Sequence, residues 1–114
     1  MKSKLLLIIL VLFSYTFANA QTSKEIEKAA KAETANMVTA LDLTDNQEQF
    51  IYRQNYVLIN QQARFDKLEE KTDKMVSQME SLKADYKTNI EQHLTDTQRA
   101  KFNTWIEKSS LLKK

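Results

Sequence analysis

The chain of 114 residues contains no Gly, no Pro and no Cys, although ordinary proteins carry roughly 7% Gly and about 5% Pro. This composition disfavours turn-rich β folds and glycine-rich phosphate-binding loops, because both depend on residues that the chain lacks. It also excludes a disulfide framework, a thiol nucleophile and a thiolate zinc site. The formal net charge is +2. These counts remove most catalytic constellations and favour an all-α protein.

The first 20 residues have the organisation of a secretory signal peptide. Two lysines within residues 1–4 precede an apolar run over 5–13, and an A-x-A cleavage pattern over 18–20 precedes Gln21. The apolar run is too short for a membrane helix, which needs about 20 residues, so an uncleaved anchor is the less favoured alternative. We expect cleavage after Ala20, a periplasmic location and no stable membrane anchor after cleavage.

The charge balance changes once the signal peptide, residues 1–20, is removed. Two of the 17 basic residues lie within it and all 15 acidic residues follow it, so the remaining chain is formally neutral. A nucleic-acid-binding domain would carry an excess of Lys and Arg, and we therefore expect no nucleic acid partner. Residues 21–114 are long enough for one small domain with a marginal core, which favours a homodimer.

The first helix of this domain is predicted over roughly residues 23–40. Thr22 and Glu25 have the spacing of a capping box at its start. The middle of the segment is rich in alanine, which favours a helix but offers little apolar surface to bury. We expect this helix to fray or to order only against a partner.

A second helix is predicted to start near Asp45, where Thr44 and Gln47 repeat the capping-box spacing. Apolar residues over 50–59 occupy most of its circumference, which predicts burial from two sides. The many Asn and Gln residues over 46–62 are expected to set the register across a dimer seam, as polar seam positions do in coiled coils.

The charged run 66–74 leaves open whether the second helix continues or a new one begins at Thr72 or Asp73. An amphipathic stripe then recurs at steps of four, three, four and four residues. It consists of Met75, Met79, Leu82, Tyr86 and Ile90. No segment alternates with a period of two for long enough to predict a strand.

One pentapeptide pattern, L-T-D-x-Q, occurs at two helix starts 51 positions apart, over residues 43–47 and 94–98. The second copy begins a last helix that is predicted to end near Ser109. The leucine can act as a hydrophobic staple, the threonine as the cap and the glutamine as the returning member of a capping box. These structural roles belong to Leu43, Thr44, Gln47, Leu94, Thr95 and Gln98. We expect the two copies to cap separate helix starts and to share no partners.

With these two motifs the chain resembles the LTxxQ-motif family of periplasmic proteins, the Spy/CpxP-like chaperones. The signal peptide, the polar helical composition and the run 94–102 add to the resemblance, which covers residues 41 to about 108. It implies an all-α fold, namely a small, curved, hairpin-like four-helix protomer of long amphipathic helices that pairs as an antiparallel dimer cradle. It also implies an ATP-independent chaperone or envelope-stress protein that binds unfolded or aggregation-prone proteins.

Two other functions remain open. One is a regulatory or structural interaction protein that binds one specific partner, such as a sensor domain, and the other is a metal-responsive periplasmic scaffold. The single histidine, His93, has no cysteine to complete a zinc site, and it suits the carboxyl end of a helix. We expect no bound metal, no cofactor and no enzymatic activity.

Candidate client-binding residues lie where cations alternate with aromatic and thioether side chains. Cations attract net-acidic, partly folded chains, and thioethers adapt to many apolar partners. The candidates are Arg53, Tyr56, Arg64, Phe65, Lys67, Lys71, Met75 and Met79. The alternative for the cations is a solvated face with snorkelling stems, and for the methionines it is the core or a dimer seam.

Overall fold

The computed structural model describes residues 23–109, and the predicted signal peptide with its cleavage site lies outside them. Within the described range the chain folds into helices and contains no strand, which confirms the all-α prediction. The helices are α1 (Ser23–Leu41), α2 (Asp45–Asp66), α3 (Asp73–Gln92) and α4 (Asp96–Lys108). Helix α1 packs along α2, α2 also contacts α3, and α4 contacts α1, within a body of 40 × 29 × 24 Å.

The starts of α2, α3 and α4 follow the capping signals of the sequence, and Thr22, the predicted cap of α1, lies outside the described residues. Thr44 caps α2 and Thr95 caps α4, each within a complete capping box. Thr72 caps α3 by accepting a hydrogen bond of 3.1 Å from the amide of Met75. The polypeptide therefore leaves the helical conformation between α2 and α3, over the connector 67–72.

The first helix buries more than its composition indicated. Ile26, Ala30, Met37 and Leu41 are all almost completely buried, and their spacing places them on one face of α1. This face packs along α2, and α1 also contacts α4. The expectation that α1 has little to bury is wrong, because a narrow but uninterrupted stripe suffices to pack a helix against its neighbour.

All four helices contribute to one apolar core. The predicted stripe of α3 faces this core, with Met75 half-buried at its edge and the other four residues buried. The buried cluster consists of Met37, Leu41, Ile51, Leu58, Phe65, Met79, Leu82, Tyr86, Ile90, Leu94 and Phe102.

A buried polar network crosses the core at Asn55. The Asn55 amide nitrogen donates to the Thr34 hydroxyl at 2.9 Å, and its oxygen accepts a short hydrogen bond from the Tyr86 hydroxyl. Thr34 donates in turn to the carbonyl of Ala30 at 2.7 Å. Burial raises the pKa of Tyr86, with Glu33 as a smaller cause, so the phenol remains a donor. Asn55 thus fixes the register of α1, α2 and α3 within one chain.

The rest of the chain covers one side of the apolar band of α2 and leaves its other side exposed to solvent. Ile51 and Leu58 are buried, Tyr52 and Tyr56 are half-buried, and Val57 keeps 39 % of its surface exposed. The predicted burial from two sides is therefore not met within the protomer.

Among residues 23–109, no helix is both long and apolar enough to cross a membrane.

Candidate functional site

The two copies of the L-T-D-x-Q motif meet in space through their glutamines. Gln47 Nε2 donates to Gln98 Oε1 at 2.8 Å, and Gln98 Nε2 donates to Gln47 Oε1 at 3.0 Å. Each amide also donates to the carbonyl that precedes the other motif, Gln47 to His93 at 2.8 Å and Gln98 to Asp42 at 3.0 Å. We call this reciprocal set of four hydrogen bonds the glutamine clasp.

The clasp uses the full hydrogen-bonding capacity of both side chains. A primary amide has two N–H donors and an oxygen that accepts two hydrogen bonds. In both glutamines the donors are taken by the clasp, and the oxygen also accepts the backbone N–H of its own capping threonine at 2.9 Å. Each glutamine side chain therefore completes a capping box and joins the start of α2 to the start of α4.

The clasp overturns the expectation that the motifs share no partners. A capping box explains the glutamine by itself, so the sequence pattern gave no reason to look for a second contact. One signal was present: either Glu or Gln can complete a capping box, but only the amide retains donors for a tertiary contact. Both copies have glutamine at this position, Gln47 and Gln98.

His93 lies beside the clasp at the end of α3, as predicted for a histidine at the carboxyl end of a helix. Its ring stacks on Phe50 of α2 with centroids 3.6 Å apart and planes inclined by 17°. Its Nδ1 lies 3.0 Å from the carbonyl of Asn89. Within residues 23–109, no three His, Cys, Asp or Glu side chains are grouped so that they could hold a metal ion.

An open groove of about 810 Å³ lies between α1 and the first half of α2. It presents two cations, two carboxylates, an amide, a hydroxyl and an aromatic ring. The residues that line this α1/α2 groove are Lys31, Thr34, Asp45, Glu48, Gln49, Tyr52 and Arg53. The ring of Tyr56 extends the aromatic surface, since its centroid lies 6.3 Å from that of Tyr52.

Tyr52 of the groove is neutral at physiological pH. Burial is the main cause that raises the pKa of Tyr52, followed by the nearby groups of Glu27 and Tyr56. Charge in the groove therefore comes from its cations and carboxylates, and the tyrosines contribute ring surface and hydroxyl groups.

The structure divides the candidate client-binding residues into three groups. Arg53, Lys67 and Lys71 are exposed, Tyr56, Arg64 and Met75 are half-buried, and Phe65 and Met79 are buried. Phe65 and Met79 keep only 7 % and 2 % of their surface. Because both side chains fill the core, a client cannot touch them in this fold, and the structure removes them from the set.

The remaining candidates do not form one site. Arg53 lines the α1/α2 groove, and Tyr56 lies one turn further along α2. Lys67 and Lys71 belong to the connector, which lies about 20 Å along α2 from Arg53. Lys71 is engaged there, because its Nζ donates to the carbonyl of Leu68 at 2.9 Å.

Compared with protein-family models, with curated proteins and with solved structures, the chain has no match. The function is therefore inferred from the groove, the clasp and the sequence motifs.

Proposed function

We propose that the protein is an exported, ATP-independent chaperone or envelope-stress protein that binds unfolded or aggregation-prone polypeptides in the periplasm. The observation that carries the proposal is the α1/α2 groove with its half-exposed pair Tyr52 and Tyr56. Aromatic surface binds the apolar side chains that a non-native chain exposes. Lys31 and Arg53 attract net-acidic chains to the same place.

The surface next to the groove extends this binding face. Val57 is 39 % exposed and lies on the solvent side of α2, one turn from Arg53. An exposed apolar side chain beside a cation matches the mixed composition of an unfolded segment, which presents apolar and acidic groups together. The proposed client surface thus comprises the groove, Tyr56 and Val57.

The resemblance to the LTxxQ-motif family supports both parts of this proposal, export and client binding. In this chain the motifs themselves are occupied, because the threonines cap helices and the glutamines form the clasp. We therefore assign Leu43, Thr44, Gln47 and the equivalent residues of the second copy to stability. Client contact belongs to the groove.

The proposed active form is a homodimer, arranged as an antiparallel cradle. A domain of this size has a marginal core as a monomer, and association adds buried surface.

A second candidate is an interaction protein with one specific partner, such as a sensor domain. The mixed charges of the groove favour it, since Lys31 and Arg53 stand with Asp45 and Glu48 in one lining. A fixed arrangement of both signs rejects partners whose charges do not match. This candidate predicts high selectivity, whereas a chaperone binds several unrelated chains.

The test is suppression of aggregation of two unrelated unfolding proteins, measured by light scattering with no nucleotide present. The chaperone proposal expects protection of both, and a several-fold loss of protection in the variant Arg53→Glu/Val57→Ser. Lys101→Glu makes the same charge change at an exposed position of α4 and should protect like the wild type. The half-buried Arg64 is left unchanged to avoid disturbing the fold.

The outcomes separate the candidates. Protection of neither protein contradicts the chaperone proposal, and tight binding of one partner alone supports the second candidate. Equal loss of protection in both charge variants would show that net charge acts, and that the groove does not.

A further inference from the structure

The buried stripe of α2 continues through the connector into α3 without a change of phase. Its members follow one another at strictly alternating steps of three and four residues. They are Leu58, Gln61, Phe65, Leu68, Thr72, Met75, Met79, Leu82 and Tyr86. All except Thr72 are buried or half-buried. Two helices joined by a bend have no need to share a heptad phase, whereas one long helix in a coiled coil requires it.

The connector 67–72 contains no residue that stops a helix. Its sequence is Lys-Leu-Glu-Glu-Lys-Thr, and Lys, Leu and Glu are strong helix formers. Among the described residues only Asp42 has a positive φ, so the connector needs no backbone conformation that disfavours ordinary residues.

Side chains hold the bend in place. Thr72 caps the start of α3, and Lys71 donates to the carbonyl of Leu68. The same ammonium lies 5.5 Å from the centre of the Phe65 ring. These contacts are few and mostly exposed to solvent. The free energy needed to convert the bent connector into a helix is therefore small.

We propose that the chain also forms an exchanged dimer in which residues 45–92 are one continuous helix, about 70 Å long. In this dimer α1 and α2 of one copy pack on α3 and α4 of a second copy. The glutamine clasp and the hydrogen bond between Asn55 and Tyr86 then form between chains. The occupant of each exposed inner face is the other copy of this same chain.

The exchange keeps the contacts of α2 with α3 and of α1 with α4, and it adds new contacts at the centre. In the antiparallel pair of long helices, Asn55 of one chain lies opposite Tyr86 of the other. The two-fold axis passes midway between these positions along the helix, between residues 70 and 71. Leu68 and Met75 are half-buried in the bent form, and Val76 is 41 % exposed. In the long helices these three side chains lie next to the axis, where the stripe of the second copy covers Leu68 and Met75.

The balance between the two forms depends on the helix propensity of the connector. The straight form gains apolar burial and helical hydrogen bonds at the axis. The bent form keeps the contacts of Lys71 and Thr72 and avoids the entropy cost of association. This inference rests on the homodimer proposed above, and it makes no use of client binding.

A matched pair of variants isolates helix propensity at two exposed connector residues. Glu69→Ala/Glu70→Ala and Glu69→Gly/Glu70→Gly remove the same charges and differ only in the backbone freedom of the new residues. We expect the Gly variant to dimerise on the order of 100-fold more weakly than the Ala variant, from the helix propensities of four substituted positions per dimer. Sedimentation equilibrium over a range of concentrations measures both constants.

An intrachain distance then separates an exchanged dimer from two bent protomers side by side. The chain has no Cys, so spin labels at Val57→Cys and Lys87→Cys are specific. One continuous helix places them about 45 Å apart, whereas the bent form brings them close, since they flank the bonded pair Asn55 and Tyr86. Labelled chains are refolded with excess unlabelled chain so that only the intrachain distance is read.

The proposal predicts the long distance in the dimer fraction and the short one in the monomer. A dimer that retains the short distance overturns it while leaving the proposed homodimer intact. Equal dimerisation of the Ala and Gly variants, or no dimer from the Ala variant at its highest soluble concentration, also overturns it. Thr72→Val removes the cap and adds an apolar group to the stripe, so it should raise the dimer fraction independently.

Discussion

The two copies of the L-T-D-x-Q motif share their local geometry and differ in their surroundings. In both copies the backbone N–H of the threonine donates to the side-chain oxygen of the glutamine at 2.9 Å. The backbone N–H of the glutamine donates to the threonine hydroxyl at 3.2 Å. Gln98 and Leu94 of the second copy are buried, with 8 % and 5 % of their surfaces exposed, whereas Gln47 and Leu43 are half-buried. The pentapeptide sets the helix start, and the depth of packing comes from the rest of the chain.

The residue after the glutamine separates the copies further. Arg99 follows the second glutamine, and its guanidinium donates to the carbonyls of Glu91 and Leu94, each at 3.1 Å. The matching residue of the first copy is Glu48, which lines the α1/α2 groove. One copy therefore closes the end of α3, while the other borders the proposed client surface.

The largest expected effect is the loss of the buried glutamine. Gln98→Ala removes four hydrogen bonds and leaves the Asp42 carbonyl without its donor, so we expect a cost of about 2–4 kcal/mol in the free energy of unfolding. Gln47→Ala removes the same number of hydrogen bonds at a more solvent-exposed position. It should therefore lower the free energy of unfolding by about 1–2 kcal/mol. Urea denaturation followed by circular dichroism measures both.

The exposed Gln92 at the end of α3 provides the control, since Gln92→Ala should leave stability nearly unchanged. Equal costs for Gln47→Ala and Gln98→Ala would show that the difference in burial carries no energetic weight, and the comparison of the two copies would fail.

The coupling between the copies is the next largest effect. Either glutamine substitution alone already breaks both bonds between Gln47 and Gln98, so the double variant should cost about 1–2 kcal/mol less than the sum of the single ones. The hydroxyls of Thr44 and Thr95 contact only their own motifs. Thr44→Ala and Thr95→Ala should each cost about 0.5–2 kcal/mol and combine closer to additively.

A double-mutant cycle on each pair makes this comparison directly. Coupling in the threonine pair as large as that in the glutamine pair would place the link in the helix starts as a whole. Additive glutamine substitutions would contradict the clasp.

The contrast between cap and clasp shows what the sequence was able to predict. Helix starts at Asp45 and Asp96 agree with the capping signals, because a cap is made by residues three apart and needs nothing else. The pairing of Gln47 with Gln98 joins residues 51 positions apart. No local sequence pattern predicts a contact between residues so far apart in the chain. The only indication was that both motif copies have glutamine at a position where glutamate would also complete the capping box.

Burial was predicted less well than helix position, for a similar reason. Thr34 and Asn55 are polar and yet almost fully buried. Asn55 donates to Thr34 and accepts from Tyr86, and Thr34 donates to the carbonyl of Ala30, so both side chains have partners inside the core. The same arrangement supports α1, whose alanine-rich middle had indicated little apolar surface to bury. For the candidate site, exposure decided between client contact and core packing, and Phe65 and Met79 belong to the core.

A smaller effect is expected at the residue that follows each glutamine. Arg99→Ala should cost about 1 kcal/mol, because it removes donors from two carbonyls at the partly exposed end of α3. Glu48→Ala at the matching place should be close to neutral for stability. For a domain of this size a loss of 1 kcal/mol lowers Tm by roughly 4–8 °C, which thermal unfolding resolves.

Arg99→Lys distinguishes charge from geometry in the same experiment. Lysine keeps the positive charge near the α3 end but lacks the planar fork that reaches both carbonyls. We expect Lys to recover only part of the loss. Full recovery would assign the effect to the helix dipole, and the copies would then differ in charge alone.

The smallest expected effect has opposite signs in the two copies, at the residues whose carbonyls accept from the clasp. Asp42 has φ of 60°, in the left-handed region, whereas His93 has φ of −104°. Asp42→Gly keeps the carbonyl that Gln98 needs and removes the steric penalty, so it should stabilise the protein by about 0.5 kcal/mol after the greater freedom of the unfolded chain is deducted. His93→Gly relieves no such penalty and loses the ring stacked on Phe50, so it should destabilise. Paired thermal melts decide the matter: if both glycines stabilise, or both destabilise, backbone conformation does not distinguish the two turns, and their difference must lie in the side chains packed around them.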